Sequence, residues 1–134
     1  MPDSMSDAKS QIHGKFKLFT GELGADLSLG KLATDVEQFA SRSGCAAKSI
    51  GVEYLEGERR LVISLGYREG EAGYPIRLRS VSLGTASKLD AAEIARLEKA
   101  MTAAAEKLQN VLCHELFVTE KREFVMVFMT HGST

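Results

Sequence analysis

Apolar and polar residues alternate along most of the chain, and the period of the alternation changes in a regular order. Residues 15–23, KFKLFTGEL, have the two-residue period of a β-strand. A helical period follows and places Leu32 and Val36 on one apolar stripe. Residues 47–67 alternate again on both sides of a turn that contains glycine, which is typical of a β-hairpin. The first half is therefore predicted to fold as strand, helix, strand and strand.

The second half repeats this order. Residues 75–84, PIRLRSVSLG, match residues 15–24, KFKLFTGELG, and both segments end in glycine. Asp90 and Glu93 have the spacing of a capping box, which satisfies backbone N–H groups at the start of a helix. A longer helical stripe and a second hairpin, residues 111–131, complete the half.

The two hairpins also align without a gap. Residues 50–68 lie over residues 113–131, so that Arg59 matches Arg122 and Val62 matches Val125. Since matching elements follow one another in the same order, the sequence predicts an internal duplication.

The repeats suggest the domain organisation. We predict one domain over residues 14–131, made of repeats at about residues 15–68 and 75–131. Residues 1–13 are polar and are predicted to form a disordered N-terminal tail.

Six strands and two helices predict an α+β fold. Each helix has a single apolar stripe to bury, so both helices are expected on one face of a single antiparallel sheet. Over residues 14–131 this order resembles the tandem strand–helix–strand–strand modules of gyrase-inhibitor-like effector-binding domains. The resemblance is one of architecture, and no family motif accompanies it. A ferredoxin-like fold is the alternative topology.

Composition narrows the class of function. The net charge of −1 argues against a nucleic-acid-binding protein, which usually carries a basic excess. No apolar run approaches the roughly 20 residues of a membrane-spanning helix. The first residues lack the apolar segment of a secretory signal, and the two cysteines show no pairing pattern. We therefore expect a cytoplasmic protein that binds neither nucleic acid nor membrane.

Motifs for cofactors and metals are missing from the sequence. It contains no phosphate-binding glycine motif and no dinucleotide fingerprint. Cys113 and His114 are adjacent in a predicted strand and so point to opposite faces, which argues against a shared zinc ion. No cofactor, metal or catalytic site is predicted.

A carboxylate stands out when the hairpins are compared face by face. If each hairpin pairs symmetrically about its turn, Glu115 lies on the core face where the first repeat has Val52. Burying an unpaired charge is costly, so we hypothesise that Glu115 contacts a small-molecule ligand, with Tyr54 and Phe117 beside it. The alternative is a carboxylate at the sheet margin, bonded to an arginine or to water.

The two hairpins differ on their other faces. In the first hairpin this face is small or solvated, with Ser49, Gly51, Glu53, Val62, Ser64 and Gly66. In the second it is apolar and is expected to need a cover, either a second copy of the chain or an apolar ligand. We predict a homodimer through this face, with His114, Leu116, Val125, Val127 and Met129 at the interface.

Basic residues suggest one further site. Lys15, Lys17, Arg77 and Arg79 occupy one face of the two matching first strands and predict an anion-binding patch if the strands are close. The alternative is a set of solvated edge-strand cations that deter aggregation.

These features favour a non-catalytic, oligomeric small-molecule-binding module. The alternative is a structural or protein-interaction module that dimerises through the apolar sheet face. An enzyme using Glu115 or His114 as a general base is the least favoured class, because no second catalytic group stands at a defined spacing.

Overall fold

The computed structural model describes residues 14–42 and 45–132, and the predicted N-terminal tail lies outside these ranges. The order of elements is strand, helix, strand, strand, repeated once, and the α+β class is confirmed. The elements are β1 (Lys15–Glu22), α1 (Lys31–Ala40), β2 (Cys45–Leu55), β3 (Arg60–Glu69), β4 (Ile76–Thr85), α2 (Ala91–Glu106), β5 (Val111–Val118) and β6 (Glu123–His131).

The strands form two antiparallel sheets of three strands each, and the prediction of a single sheet was wrong. The first sheet has the order β1–β3–β2 and the second β4–β6–β5, so each half has the same strand order. The edge strands β2 and β5 lie side by side without backbone pairing. At the opposite edges of the two sheets, α1 contacts both β1 and β4, and it thereby keeps these edges apart.

The inner faces of the two sheets and α1 enclose the larger hydrophobic core. From the first sheet, β3 contributes Leu61, Ile63 and Leu65, which are fully buried. From the second sheet, the residues on this face of β6 are Val125, Val127 and Met129, and α1 contributes Leu32 and Val36.

The other face of the second sheet packs against α2 in a separate core. This core contains Phe124, Met126 and Phe128 of β6 together with Leu97 and Ala104 of α2. The two helices therefore lie on opposite faces of the second sheet, contrary to prediction. The physical reason is that β6 is apolar on both faces, since every residue from 124 to 130 is buried. Each face of this strand needs its own cover.

Strand register was predicted correctly for the first hairpin and wrongly for the second. Ile50 pairs with Leu65 and Tyr54 with Leu61, as symmetric pairing requires. Glu115, however, pairs with Val127. The two residues therefore lie on the same face of the hairpin, although they were predicted to lie on opposite faces. The two loops differ in length: pairing ends at residues 55 and 60 in the first hairpin but at 118 and 124 in the second. A shift of one residue moves every side chain to the other face of a strand.

One hydrogen bond ties α1 to the second sheet. The carboxylate oxygen Oε2 of Glu37 accepts the backbone N–H of Leu78, at 2.8 Å. Because β4 is an edge strand and Leu78 is buried, this N–H has no neighbouring strand to bond. Glu37 thus satisfies a donor that the sheet leaves unpaired.

We expect Glu37→Ala to lower the free energy of unfolding by about 1–3 kcal/mol, the cost of losing a charged acceptor and leaving a buried donor unpaired. Glu37→Gln keeps an acceptor oxygen and should lose less. Urea denaturation measures both, with Glu98→Ala, an exposed glutamate of α2, as the control. Equal effects at the two positions would show that the Leu78 bond contributes nothing.

Candidate functional site

The outer face of the first sheet has no covering element among the described residues. Two large apolar side chains of β1 stand on it, Phe16 at 71% exposure and Leu18 at 68%. They pair in register with Gly66 and Ser64 of β3. Apolar side chains this exposed on neighbouring positions form a surface that favours a partner.

The centre of this face forms a depression, because the side chains there are small. A Cβ atom on Gly51 would lie 2.7 Å from the Ser64 hydroxyl oxygen, and one on Gly66 would lie 2.6 Å from that of Ser49. The ring of Phe16 lies 3.4 Å from the same position on Gly66. We call this surface the trough: its floor is Ser49, Gly51, Ser64 and Gly66, and one wall is Phe16 and Leu18.

The opposite wall of the trough is acidic. A cavity of about 260 Å³ opens there and is lined by Leu18, Val62 and Ser64 together with the carboxylates of Glu53 and Glu115. Glu53 comes from β2, and Glu115 comes from β5, which lies beside it. Within residues 14–42 and 45–132, neither carboxylate has a basic group within 4.0 Å.

Tyr54 and Phe117, the two aromatic residues predicted to accompany Glu115, contact each other. The rings of Tyr54 and Phe117 are stacked, with centroids 5.9 Å apart and planes 11° from parallel. Neither residue lines the cavity that holds Glu115. The aromatic pair instead closes the junction between β2 and β5.

The residues of the predicted dimer interface lie on two faces. Val125, Val127 and Met129 are fully buried in the larger core, so the chain itself covers them. His114 lies on the other face, where its ring is 6.4 Å from that of Phe128, and Leu116 is exposed on the same side. The apolar face of the second hairpin therefore does not require a second copy.

The four residues of the predicted anion patch have different surroundings. Lys15 forms an ion pair with Glu69 at 2.5 Å, and the ammonium group of Lys17 lies 5.9 Å from the centre of the Phe39 ring. Arg77 and Arg79 line a cavity at the second sheet.

Among the described residues, no group of three or more histidine, cysteine, aspartate or glutamate side chains is arranged to hold a metal ion. Both cysteines are free, and burial raises the pKa of the Cys45 and Cys113 thiols, which lowers their nucleophilicity at neutral pH. Neither helix in this part of the chain has the length and apolar character needed to cross a membrane.

The tips of the two hairpins are joined by polar contacts that the sequence did not suggest. The Tyr54 hydroxyl donates a hydrogen bond to Oε2 of Glu120, and the Arg59 guanidinium lies 3.6 Å from Glu123 and 4.0 Å from Glu120. Glu123 also accepts a hydrogen bond from the Thr119 hydroxyl at 2.6 Å. These contacts join the two hairpins next to Glu53, which directly precedes Tyr54.

Glu53 was missed as a site residue because it was assigned to a solvated face. The signal that could have found it is the alternation of β1, which places Phe16 and Leu18 on the same side of the sheet. An apolar edge strand beside a face of serine and glycine predicts a groove, and an acid at its rim is then a candidate contact.

Comparison of the chain with protein families, curated proteins and solved structures finds no match.

Tyr54→Phe should raise the pKa of Glu120. The hydrogen bond from Tyr54 is the largest cause that holds this pKa below its ordinary value of 4.5. A carboxylate with a lowered folded-state pKa stabilises the fold above its ordinary pKa, and the stabilisation is lost as pH falls through the folded-state value. The stability advantage of the wild type over Tyr54→Phe should therefore shrink as pH falls below 4.5.

Carbon NMR titration of the Glu120 carboxyl group measures this shift. Tyr74→Phe is the matched control, since its hydroxyl bonds the Ala47 carbonyl instead. An unchanged Glu120 titration in Tyr54→Phe would mean that this contact does not exist in solution.

Proposed function

We propose that the chain is a non-catalytic binding module that holds a basic peptide segment in the trough of its first sheet. The observation that carries this proposal is the pairing of an exposed apolar wall, Phe16 and Leu18, with two carboxylates that have no basic partner in the described part of the chain.

The chemistry of the walls favours a cationic group on an aliphatic stem. Lysine and arginine side chains lay their stems along apolar surface and keep their charged ends in polar surroundings. Leu18 and Val62 offer the apolar surface, and Glu53 and Glu115 offer acceptors for charge-assisted hydrogen bonds. Among residues 14–42 and 45–132, the carboxylates are otherwise left without a counter-charge.

The dimensions of the trough favour a peptide over a small amine. The trough crosses three strands, which are spaced by about 4.8 Å, so its walls stand roughly 10 Å apart. That width accepts one polypeptide segment. The apolar wall also extends beyond the cavity, since Leu18 lines the cavity and Phe16 does not. A ligand that reaches from Glu53 to Phe16 needs more than one side chain.

The second half supports a docking role for this face. We infer that the halves arose by duplication, because element order and strand order agree and each helix covers the corresponding face of its own sheet. Ile76 and Leu78, which match Phe16 and Leu18, are only 2% and 5% exposed. The corresponding face of the second sheet is thus covered, by the first half. The likeness to gyrase-inhibitor-like domains remains a comparison of element order.

A second copy of the chain is the competing occupant of the trough. A twofold dimer uses the same patch on both subunits. Stacking two troughs would place the carboxylates of both copies in one interface, and like charges there oppose association. A basic peptide is therefore a more favourable occupant of the trough than a second copy of the chain.

The test is a titration of the full chain with a short synthetic peptide of alternating lysine and valine, followed by proton–nitrogen NMR. Shifts are expected at the amides of Gly51, Ser64 and Gly66. Glu53→Gln with Glu115→Gln should weaken binding by roughly tenfold or more for each charge removed. Glu98→Gln on α2 is the charge-matched control.

Three outcomes would contradict the proposal. A peptide with glycine in place of valine could bind equally well, which would reduce the effect to non-specific charge attraction. A simple alkylamine could bind as tightly as the peptide and would make the ligand a small molecule. Sedimentation could show a dimer that Leu18→Ser converts to monomer, which would make the occupant a second copy.

A variant that supplies the cation within the chain gives an independent check. Ser64→Lys places an ammonium group on the floor of the trough, beside Glu53 and Glu115. We expect the fold to be retained and peptide binding to be lost, because the lysine both fills the cavity and pairs with its carboxylates. Unchanged peptide affinity in this variant would place the binding site elsewhere.

A further inference from the structure

A second cavity, of about 240 Å³, opens beside the last residues of α2 and is lined by basic side chains. Arg77 and Arg79 come from β4, and Lys107 follows α2 directly. The alternation of β4 places the two arginines on one face of the strand, so both reach the same opening.

These three cations have no counter-charge among the residues that the structure describes. No carboxylate is among the residues that line the cavity. In the part of the chain that the structure describes, none of the three forms an ion pair within 4.0 Å. Positive charges gathered in one concave site repel one another, and an anion bound among them removes that cost.

The wall of the cavity is held by backbone hydrogen bonds. The N–H of His131 donates to the Asn110 carbonyl at 2.9 Å, and the N–H of Gly132 donates to that of Pro75 at 2.7 Å. The His131 ring also packs on the Tyr74 ring, with centroids 4.6 Å apart. A Cβ on Gly132 would lie 3.1 Å from Cγ of Arg77, so the arginine stem rests against this backbone.

Polar groups complete the lining. Thr130 is buried, and its hydroxyl lies 3.5 Å from the Arg77 carbonyl, which is a long hydrogen bond. The Asn110 side chain lies among the lining residues and can donate to a bound oxygen atom, whereas the single O–H of Thr130 is directed at the Arg77 carbonyl. The cavity therefore combines three positive charges with a neutral donor.

We propose that this cavity binds a small phosphate-type oxyanion, either inorganic phosphate or a small phosphomonoester. Two guanidinium groups and an ammonium group match the several oxygen atoms and the double charge of a phosphate better than a single carboxylate. The volume lies below the roughly 300–1,000 Å³ of pockets for drug-sized ligands, which excludes a nucleotide from full enclosure. The site lies at the second sheet and is independent of the trough.

The test titrates the full chain with inorganic phosphate, glycerol phosphate and acetate at constant ionic strength. NMR of the arginine side-chain N–H groups should give saturable shifts at Arg77 and Arg79 with both phosphates and not with acetate. Arg79→Gln and Lys107→Gln should each weaken phosphate binding about tenfold or more. Lys99→Gln, at an exposed lysine of α2, should leave it unchanged.

Arg79→Lys separates geometry from charge. It keeps the positive charge but loses the two-pronged contact, and we expect it to bind phosphate less tightly than the wild type and more tightly than Arg79→Gln. If glycerol phosphate binds more tightly than inorganic phosphate, the ligand is an ester, and the reverse order indicates the free ion.

The proposal is overturned if wild-type shifts grow linearly with phosphate without saturation, or if Lys99→Gln weakens binding as much as Lys107→Gln. It is also overturned if a single-stranded oligonucleotide binds more tightly than either phosphate and shifts residues well outside the cavity, since that would indicate a nucleic-acid surface. The wild-type titration decides the question even if a variant fails to fold.

Discussion

The structure depends on a single strand that is apolar on both of its faces. Every residue of β6 from 124 to 130 is buried. A strand of this kind is stable only between two covering layers, because its side chains alternate between the faces of the sheet. The helix of its own half, α2, supplies one layer, and the entire first half supplies the other. The two sheets consequently stack through a shared core instead of joining into one.

This arrangement makes the two halves chemically unequal. In the second sheet both faces are used for folding, whereas the first sheet buries only the face toward α1. The first half can therefore keep serine, glycine and an acid on its outer face without a cost in core packing. The central strand of the first sheet, β3, has Val62, Ser64 and Gly66 on that face, where β6 has valine, valine and methionine. Both faces of the second sheet thus contribute to the hydrophobic cores, whereas the first sheet contributes one face and leaves its outer face open.

The order of the elements, the α+β class and the register of the first hairpin could all be predicted from sequence, since each follows from the period of nearby residues. The register of the second hairpin could not. It depends on one extra residue in the loop, and alternation alone does not fix where pairing ends. The separation of the sheets was also hidden, because it depends on the long-range packing of α1 against β1 and β4, where Glu37 bonds Leu78. Glu115 was singled out from the sequence as a candidate contact, but Glu53, which lines the same cavity, is brought near it by the β2–β5 junction, which no local pattern encodes.

The net charge is another property of the sequence that does not reveal how residues are grouped in the fold. A value of −1 argues against a strongly charged partner only if the charges are mixed evenly over the surface. Here they are not mixed. Within the described part of the chain, two acids without basic partners meet at the edge of the first sheet, and three cations without acidic partners meet at the second. Their contributions nearly cancel in the sum, while the local fields keep opposite signs. Because screening limits exposed charges to a range of about 8–10 Å, each cavity responds to its own lining and not to the total. A nearly neutral chain can therefore hold one site for cations and another for anions.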